Sequence, residues 1–388
     1  MEVYLDNSAT TRCSECVQEI VKKTMDIDYG NPSSMHGKGV EAEKYVKEAA
    51  AKIAKTLKVS EKEIVFTSGG TESNNLALIG AAMANRRRGN RLVTTQIEHA
   101  SVAAAMAFLQ EQGFEVIDLP VDMNGILSLD ALREAVNKDT ILVSIMQVNN
   151  EIGAIEPIEE AAAIIHKENP GTLIHVDAVQ SYGKMQIRPK KLGIDMLSVS
   201  GHKIHGPKGI GFLYVKEKTK IKPLLFGGGQ QGGLRSGTHN VPGIAGLGEA
   251  AREAYEDFDA KIESLYCLKE HFIEKARNLD QELGGIHLNG LTGRESAPHI
   301  VNMSISGVRS EVLLHALEEY GIYVSAGSAC SSNRHAKSQT LQAIHAEPAF
   351  AESALRFSFS VYTTVEEVDH TFRKLAEIVP KLRRYARH

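Results

Sequence analysis

The chain has 388 residues, 43% apolar and 24% charged, with a formal net charge of −4. This is the composition of an ordinary globular protein of two to three domains, and it excludes disordered and fibrous classes. The charge gives no case for direct nucleic-acid binding. No run approaches the roughly eighteen apolar residues of a membrane helix and no basic-then-apolar leader is evident, so a cytoplasmic protein away from the membrane is expected.

From about residue 60 short apolar segments alternate with helical patterns. The expected strands are 64–67, 92–97, 115–119, 141–147, 172–177, 196–200 and 210–215, the signature of an α/β domain. Helical periodicity returns from about Gly243 through Leu279 as a connector. Beyond it the pattern predicts strands at 298–306, 322–325 and 354–361, with helices at 309–320, 338–346 and 364–385. This second part reads as a smaller α+β domain packed with the N-terminal segment. The expected division is a large domain over 16–259 and a small one built from 1–15 and 260–388. The basic clusters Arg86, Arg87, Arg88 and Lys381, Arg383, Arg384, Arg387 read as solvated helix faces. Cys13, Cys16, Cys267 and Cys330 are expected as thiols, and the Cys13/Cys16 pair lacks the partners of a zinc site, so no metal is assigned.

The chemistry gathers at strand ends. Asp177 closes a buried strand, so its carboxylate emerges where parallel sheets bind ligands, suited to a protonated pyridine nitrogen. Lys203, in Ser200-Gly201-His202-Lys203, is an amine expected to be crowded by cationic His202 and His205, a setting that favours Schiff-base chemistry. Together these residues read as a pyridoxal-phosphate site. Gly69, Gly70 and Thr71 follow a strand and open a helix expected from about Asn75 to Arg88, placing amides around an anion. A helix capped by Thr71 or Ser73 is the competing explanation. His99 follows another strand and can stack on a flat ring, Asn150 offers an amide, and Arg235 and Thr238 offer further anion ligands. Arg356, in a strand-like alternation, suits an α-carboxylate if it does not merely line an exposed face. Cys330 lies in a run of small residues where a nucleophilic thiol finds little to pack against.

Taken together, residues 4–11, 30–34, 70–73, 98–99, 148–151, 175–180, 200–203, 235–238 and 327–330 resemble the cysteine desulfurases of the NifS/IscS type, nearly end to end. The resemblance implies a fold-type-I pyridoxal-phosphate enzyme with a mainly parallel seven-stranded sheet. It implies that Lys203 binds the cofactor covalently and that Asp177 pairs with the pyridine nitrogen. His99 would stack on the ring, Gln180 and Asn150 would surround the phenolic oxygen, and Gly70, Thr71, Ser200 and His202 would hold the phosphate. Thr238 would reach the phosphate of a partner subunit in a homodimer. Arg356, Asn150 and Asn31 would bind L-cysteine, and Lys203 or His99 would move protons. Cys330, on a loop at about 325–337, would take the sulfur as a persulfide, leaving L-alanine, and pass it to an acceptor protein for iron-sulfur assembly or tRNA thiolation; it is also a conceivable ligand of a transient iron-sulfur cluster. A selenocysteine lyase or an aminotransferase of the same fold is the alternative. The resemblance weakens at 333–340, where the usual Glu-Pro pair is absent.

Overall fold

The computed structural model describes residues 1–326 and 338–385. The strands in chain order are β1 (Val3–Tyr4), β2 (Ile64–Thr67), β3 (Arg91–Thr95), β4 (Glu115–Leu119), β5 (Thr140–Met146), β6 (Leu173–Asp177), β7 (Met196–Ser200), β8 (Gly211–Val215), β9 (Ile286–Asn289), β10 (Ile300–Ile305), β11 (Ile322–Tyr323) and β12 (Ala354–Ser358). Seven of them form one sheet in the order β2-β8-β7-β6-β5-β3-β4. Only β8 runs antiparallel to its neighbours in it.

Period-two alternation explains how this sheet is buried on both faces. Val143, Leu197 and Phe212 turn into one core with Ala49, Ile53 and Leu247 of helices Gly37–Leu57 and Val241–Tyr255. Their neighbours Leu142, Met196 and Leu213 turn into the opposite core with Leu76, Val102 and Leu109 of helices Gly70–Asn85 and Ala100–Glu111. The first helix pair packs backbone to backbone: a Cβ on Gly248 would lie 2.6 Å from Ala49 Cα. A polar rung crosses the interior, with His175 on β6 bonded to Ser144 of β5 at 2.8 Å and Ser198 of β7 at 2.9 Å.

A separate core joins Val3 and Leu5 to the C-terminal part of the chain, including Met303, Leu355, Phe357 and Leu375. Its sheet runs β12-β10-β9, all antiparallel. Phe272 packs against Phe357, Phe359 and Phe372 at centroid distances of 4.9, 5.5 and 4.8 Å. β1 pairs with β11, so the start of the chain is built into this C-terminal layer.

Three expectations change. The connector is two helices, Val241–Tyr255 and Phe258–Leu283, because Asp257 takes a left-handed conformation (φ 48°) between them. Strand β9 follows a turn at Gly284 and Gly285, between the expected end of the connector at Leu279 and the expected strand at 298–306. The helix expected from Asn75 begins at Gly70 and ends at Asn85, so the arginines after it tie loops instead of lining a helix. Arg86 donates to Gln112 O at 2.9 Å and Arg88 to Gly171 O at 2.6 Å.

Candidate active site

The carboxyl ends of β6 and β7 deliver Asp177 and the Gly201–Lys203 turn to one edge of the large sheet. Asp177 is 4% exposed, and its Oδ1 accepts from the Val179 amide at 2.9 Å while Oδ2 accepts from Asn74 Nδ2 at 2.8 Å. The same Asn74 nitrogen donates to Ser101 Oγ at 2.9 Å, and Ser101 Oγ lies 2.8 Å from His99 Nδ1. Asp177 and His99 therefore belong to one hydrogen-bonded chain. The Ser101 amide also donates to His99 Nδ1 at 3.1 Å, so the neutral ring carries its proton on Nε2.

Lys203 Nζ donates to the carbonyls of Ser8 and, at 2.8 Å, Ala9. The N-terminal segment thus holds the amine, and Thr11 fastens that segment to the lysine turn, its amide and hydroxyl both donating to His202 O at 2.9 and 2.8 Å. Gln180 joins the cluster by donating to Ser8 O at 3.0 Å. The imidazoles beside Lys203 correct the expectation of cationic crowding. Burial, reinforced by Lys203 and Lys208, lowers His202 to about 4. Burial also brings His205 to about 4, so both rings are neutral at pH 7. Behind the site, burial pushes the Glu98 carboxyl well above its ordinary value, while its Oε1 accepts from Thr95 and from the Met146 amide.

A cavity of 340 Å³ adjoins this cluster, lined by Thr10, Gly70, Thr71, Ser200, His202 and Lys208 among others. It sits at the start of helix Gly70–Asn85, whose N-cap Gly69 provides no side-chain bond. That overturns the capping explanation: Thr71 and Ser73 lie inside the helix, and its first turn lines the cavity together with Ser200, where helix-start amides and two hydroxyl residues suit an anion. A Cβ on Gly70 would come within 2.8 Å of Val179 Cγ2, so the close approach requires glycine there. A phosphate fits this donor set, and a ring reaching from it toward Asp177 would meet a carboxylate, an amine and an imidazole. These residues fit pyridoxal phosphate.

Arg356 is 2% exposed, which excludes the solvent-facing alternative. Its guanidinium donates to Asn150 O and to Asp6 Oδ1, both at 2.8 Å. Asn31 and Thr238 are exposed on loops, and Asn31 Oδ1 accepts from the Ser33 amide, so neither joins the cluster within this chain. Cys330 and nearly all of its expected loop lie outside the described residues. Cys13 and Cys16 are free thiols, and the charge of Glu253 raises the Cys16 pKa, opposite to what a reactive thiol needs. Asn74, Ser101, Asp6 and Lys208 were not singled out by the sequence. Asp6 stands inside the segment 4–11 marked out above, the one signal that pointed at it, and Asn74 directly follows the segment 70–73.

The class-V aminotransferase family profile matches residues 3–371. The chain belongs to that family. The cysteine desulfurase IscS of Dictyoglomus turgidum is 42% identical over 382 residues, covering 98% of this chain and 95% of its own. Among solved structures, a NifS-like protein superposes with a TM-score of 0.92 at 40% identity, covering 98% of this chain and all of its own. SspA in complex with cysteine gives 0.80 at 34% identity, over 93% of this chain and 100% of its own. Pyridoxal phosphate is the cofactor of this class-V group, in accord with the donor set above. Among the described residues no helix is long and apolar enough to cross a membrane.

Proposed function

We propose that this chain is a cysteine desulfurase that transfers the sulfur of L-cysteine to Cys330. The balance is one L-cysteine and one thiol giving L-alanine and a Cys330 persulfide. The observations that carry this reading are the hydrogen-bonded chain joining Asp177 to His99, the Lys203 amine held beside it by the N-terminal segment, and the adjoining cavity lined by Thr71, Ser200 and His202, with a buried Arg356 held by Asp6 and Asn150. Kinship with cysteine desulfurases supports the choice of substrate.

Lys203, Asp177, His99, Gln180 and Asn150 would hold the pyridoxal ring, with Gly70, Thr71, Ser200 and His202 at its phosphate. When bound, the cofactor supplies an electron sink for bonds at the substrate's α and β carbons. Lys203 moves a proton at Nζ once it leaves the carbonyls of Ser8 and Ala9. His99 presents a donor at Nε2 in the orientation that Ser101 fixes. Arg356, oriented by Asp6 and Asn150, binds the α-carboxylate, and Asn31 is a further substrate contact. Asn74 and the Val179 amide hold the Asp177 side chain in place for the pyridine nitrogen.

The same reading includes a homodimer in which Thr238 serves the partner's phosphate site, a cytoplasmic setting, and delivery of the persulfide to an acceptor for iron-sulfur assembly or tRNA thiolation. It also includes the division into a large domain over 16–259 and a small one of 1–15 and 260–388. Trapping the persulfide after adding L-cysteine tests the proposal. Cys330→Ala should keep the cofactor's visible absorption and lose persulfide, while Lys203→Ala should lose the normal absorption. Sulfide release at the wild-type rate by Cys330→Ala would sink it.

A further inference from the structure

The segment that carries Cys330 is bracketed by Ser325 and Ser338, and both are tied to the surroundings of one arginine. On the near side, Ser325 and Arg356 exchange backbone hydrogen bonds at 3.2 and 2.8 Å. On the far side, the Ser338 hydroxyl donates to Glu151 Oε2 at 2.6 Å. Glu151 directly follows Asn150, whose carbonyl the Arg356 guanidinium holds. Two residues beyond Ser338, Thr340 Oγ1 accepts from Asn149 Nδ2 at 3.3 Å. The Asn149 side chain is itself fixed, accepting from the amides of Glu151 and Ile152 at 2.9 and 3.0 Å.

Glu151 is an unusual surface for this task, because it is only 5% exposed. Burial raises its carboxyl, and Ser338, Arg356 and Thr340 act in the opposite direction, as does His99. A buried carboxyl persists only where partners compensate it, and the Ser338 hydroxyl is a close one at 2.6 Å.

We infer that Glu151 and Ser338 form a latch of positioning residues that sets the far stem of the cysteine-bearing segment against the substrate-carboxylate arginine. The inference rests on Cys330 being the sulfur-accepting thiol. With Arg356 as the shared reference, the stem and the substrate are located by the same group. The latch therefore governs the approach of thiol to sulfur and leaves cofactor and substrate binding alone, and misplacement of about 1 Å in such an approach costs on the order of a hundredfold in rate.

Ser338 also caps the short helix Gln339–Ala343 by accepting from the Leu341 amide at 3.0 Å, so the test must separate cap from latch. Ser338→Asp does so. Aspartate keeps the cap acceptor but sets a second carboxyl against Glu151. In single-turnover trapping on the cofactor-loaded protein, Ser338→Ala and Ser338→Asp should both form the Cys330 persulfide about tenfold more slowly. The cofactor's absorption change on L-cysteine binding, and its concentration dependence, should match wild type, and Ser338→Thr should restore the rate. In thermal unfolding, Ser338→Ala should cost less in a Glu151→Leu background than alone. A wild-type rate for Ser338→Asp would reduce Ser338 to a helix cap and overturn the inference, as would a lost response to L-cysteine. Cys330→Ala run alongside keeps the two ideas apart: undiminished sulfide from that variant refutes the proposed function and not the latch alone.

Discussion

Asn74 is the strongest lever on the cofactor site, because its one side-chain nitrogen serves Asp177 and Ser101 together. The residue is 1% exposed, and Asn74→Ala removes a charge-assisted bond of 2.8 Å and a neutral one of 2.9 Å. Such bonds contribute about 1.5–3 and about 0.5–1.5 kcal/mol respectively. Asn74 Oδ1 is buried and without a hydrogen-bond partner among the described residues, so its removal offsets about 1 kcal/mol, leaving a net loss near ~2 kcal/mol. Among the described residues Asp177 would then keep the Val179 amide as its remaining side-chain bond, and the Ser101 hydroxyl beside His99 would lose a donor. Pyridoxal phosphate titrated into dialysed protein, followed by absorbance, should bind about tenfold more weakly to Asn74→Ala, and the melting temperature should fall by a few degrees. Asn74→Asp should be worse than alanine, since it sets a second carboxylate against Asp177. If Asn74→Asp binds the cofactor and melts like wild type, the carboxylate-amide contact is not what orients Asp177.

Burial pushes Glu156 up to about 8, and among the described residues the one bond to its carboxyl is from the Leu127 amide, so the folded chain holds a proton that the unfolded chain releases near pH 4. Stability should therefore fall as pH rises from about 4.5 to about 8, by up to about 1.4 kcal/mol per unit, and Glu156→Gln should flatten that slope in urea midpoints; parallel slopes would refute it. His175 works the other way: burial lowers it to about 3, so its contribution is complete above about pH 6.5 and is lost as pH falls toward 3. His175→Asn should soften the acid limb of the stability profile, and an unchanged acid midpoint would count against a neutral buried ring. Gly248→Ala should cost about 1–3 kcal/mol in urea denaturation, because its Cβ meets Ala49 Cα at 2.6 Å and Cβ at 2.7 Å. Ala49→Gly should recover part of that loss and only part.

The residues that could be read from sequence share a local cause. Asp177 closes one strand and Lys203 lies in the turn just past another, and both strands are visible within a few positions, so their place at the sheet edge followed from pattern. Arg356 was legible as a cation on a strand, but its burial was not, because Asp6 lies some 350 positions away. Asn74 escaped for the same reason: its partners Ser101 and Asp177 belong to other βα units, and an asparagine inside a helix gives no sign of them. The neutrality of His202 and His205 depends on burial against the N-terminal segment, which no window of sequence contains. Asp257 broke a helix that periodicity carried across it, since only its left-handed backbone marks the stop.

The grip of the N-terminal segment on Lys203 also sets an order of assembly. Ser8 accepts the lysine amine, yet Ser8 and Asn7 are themselves pinned by Ser358, 350 and 351 positions further along the chain. A nascent chain that has made the whole large sheet still lacks β12, and so cannot seat the residues that aim its reactive amine. Contacts this distant in sequence form late. The protein thus acquires its chemistry at the close of folding, and an immature chain carries a lysine that is not yet poised to react.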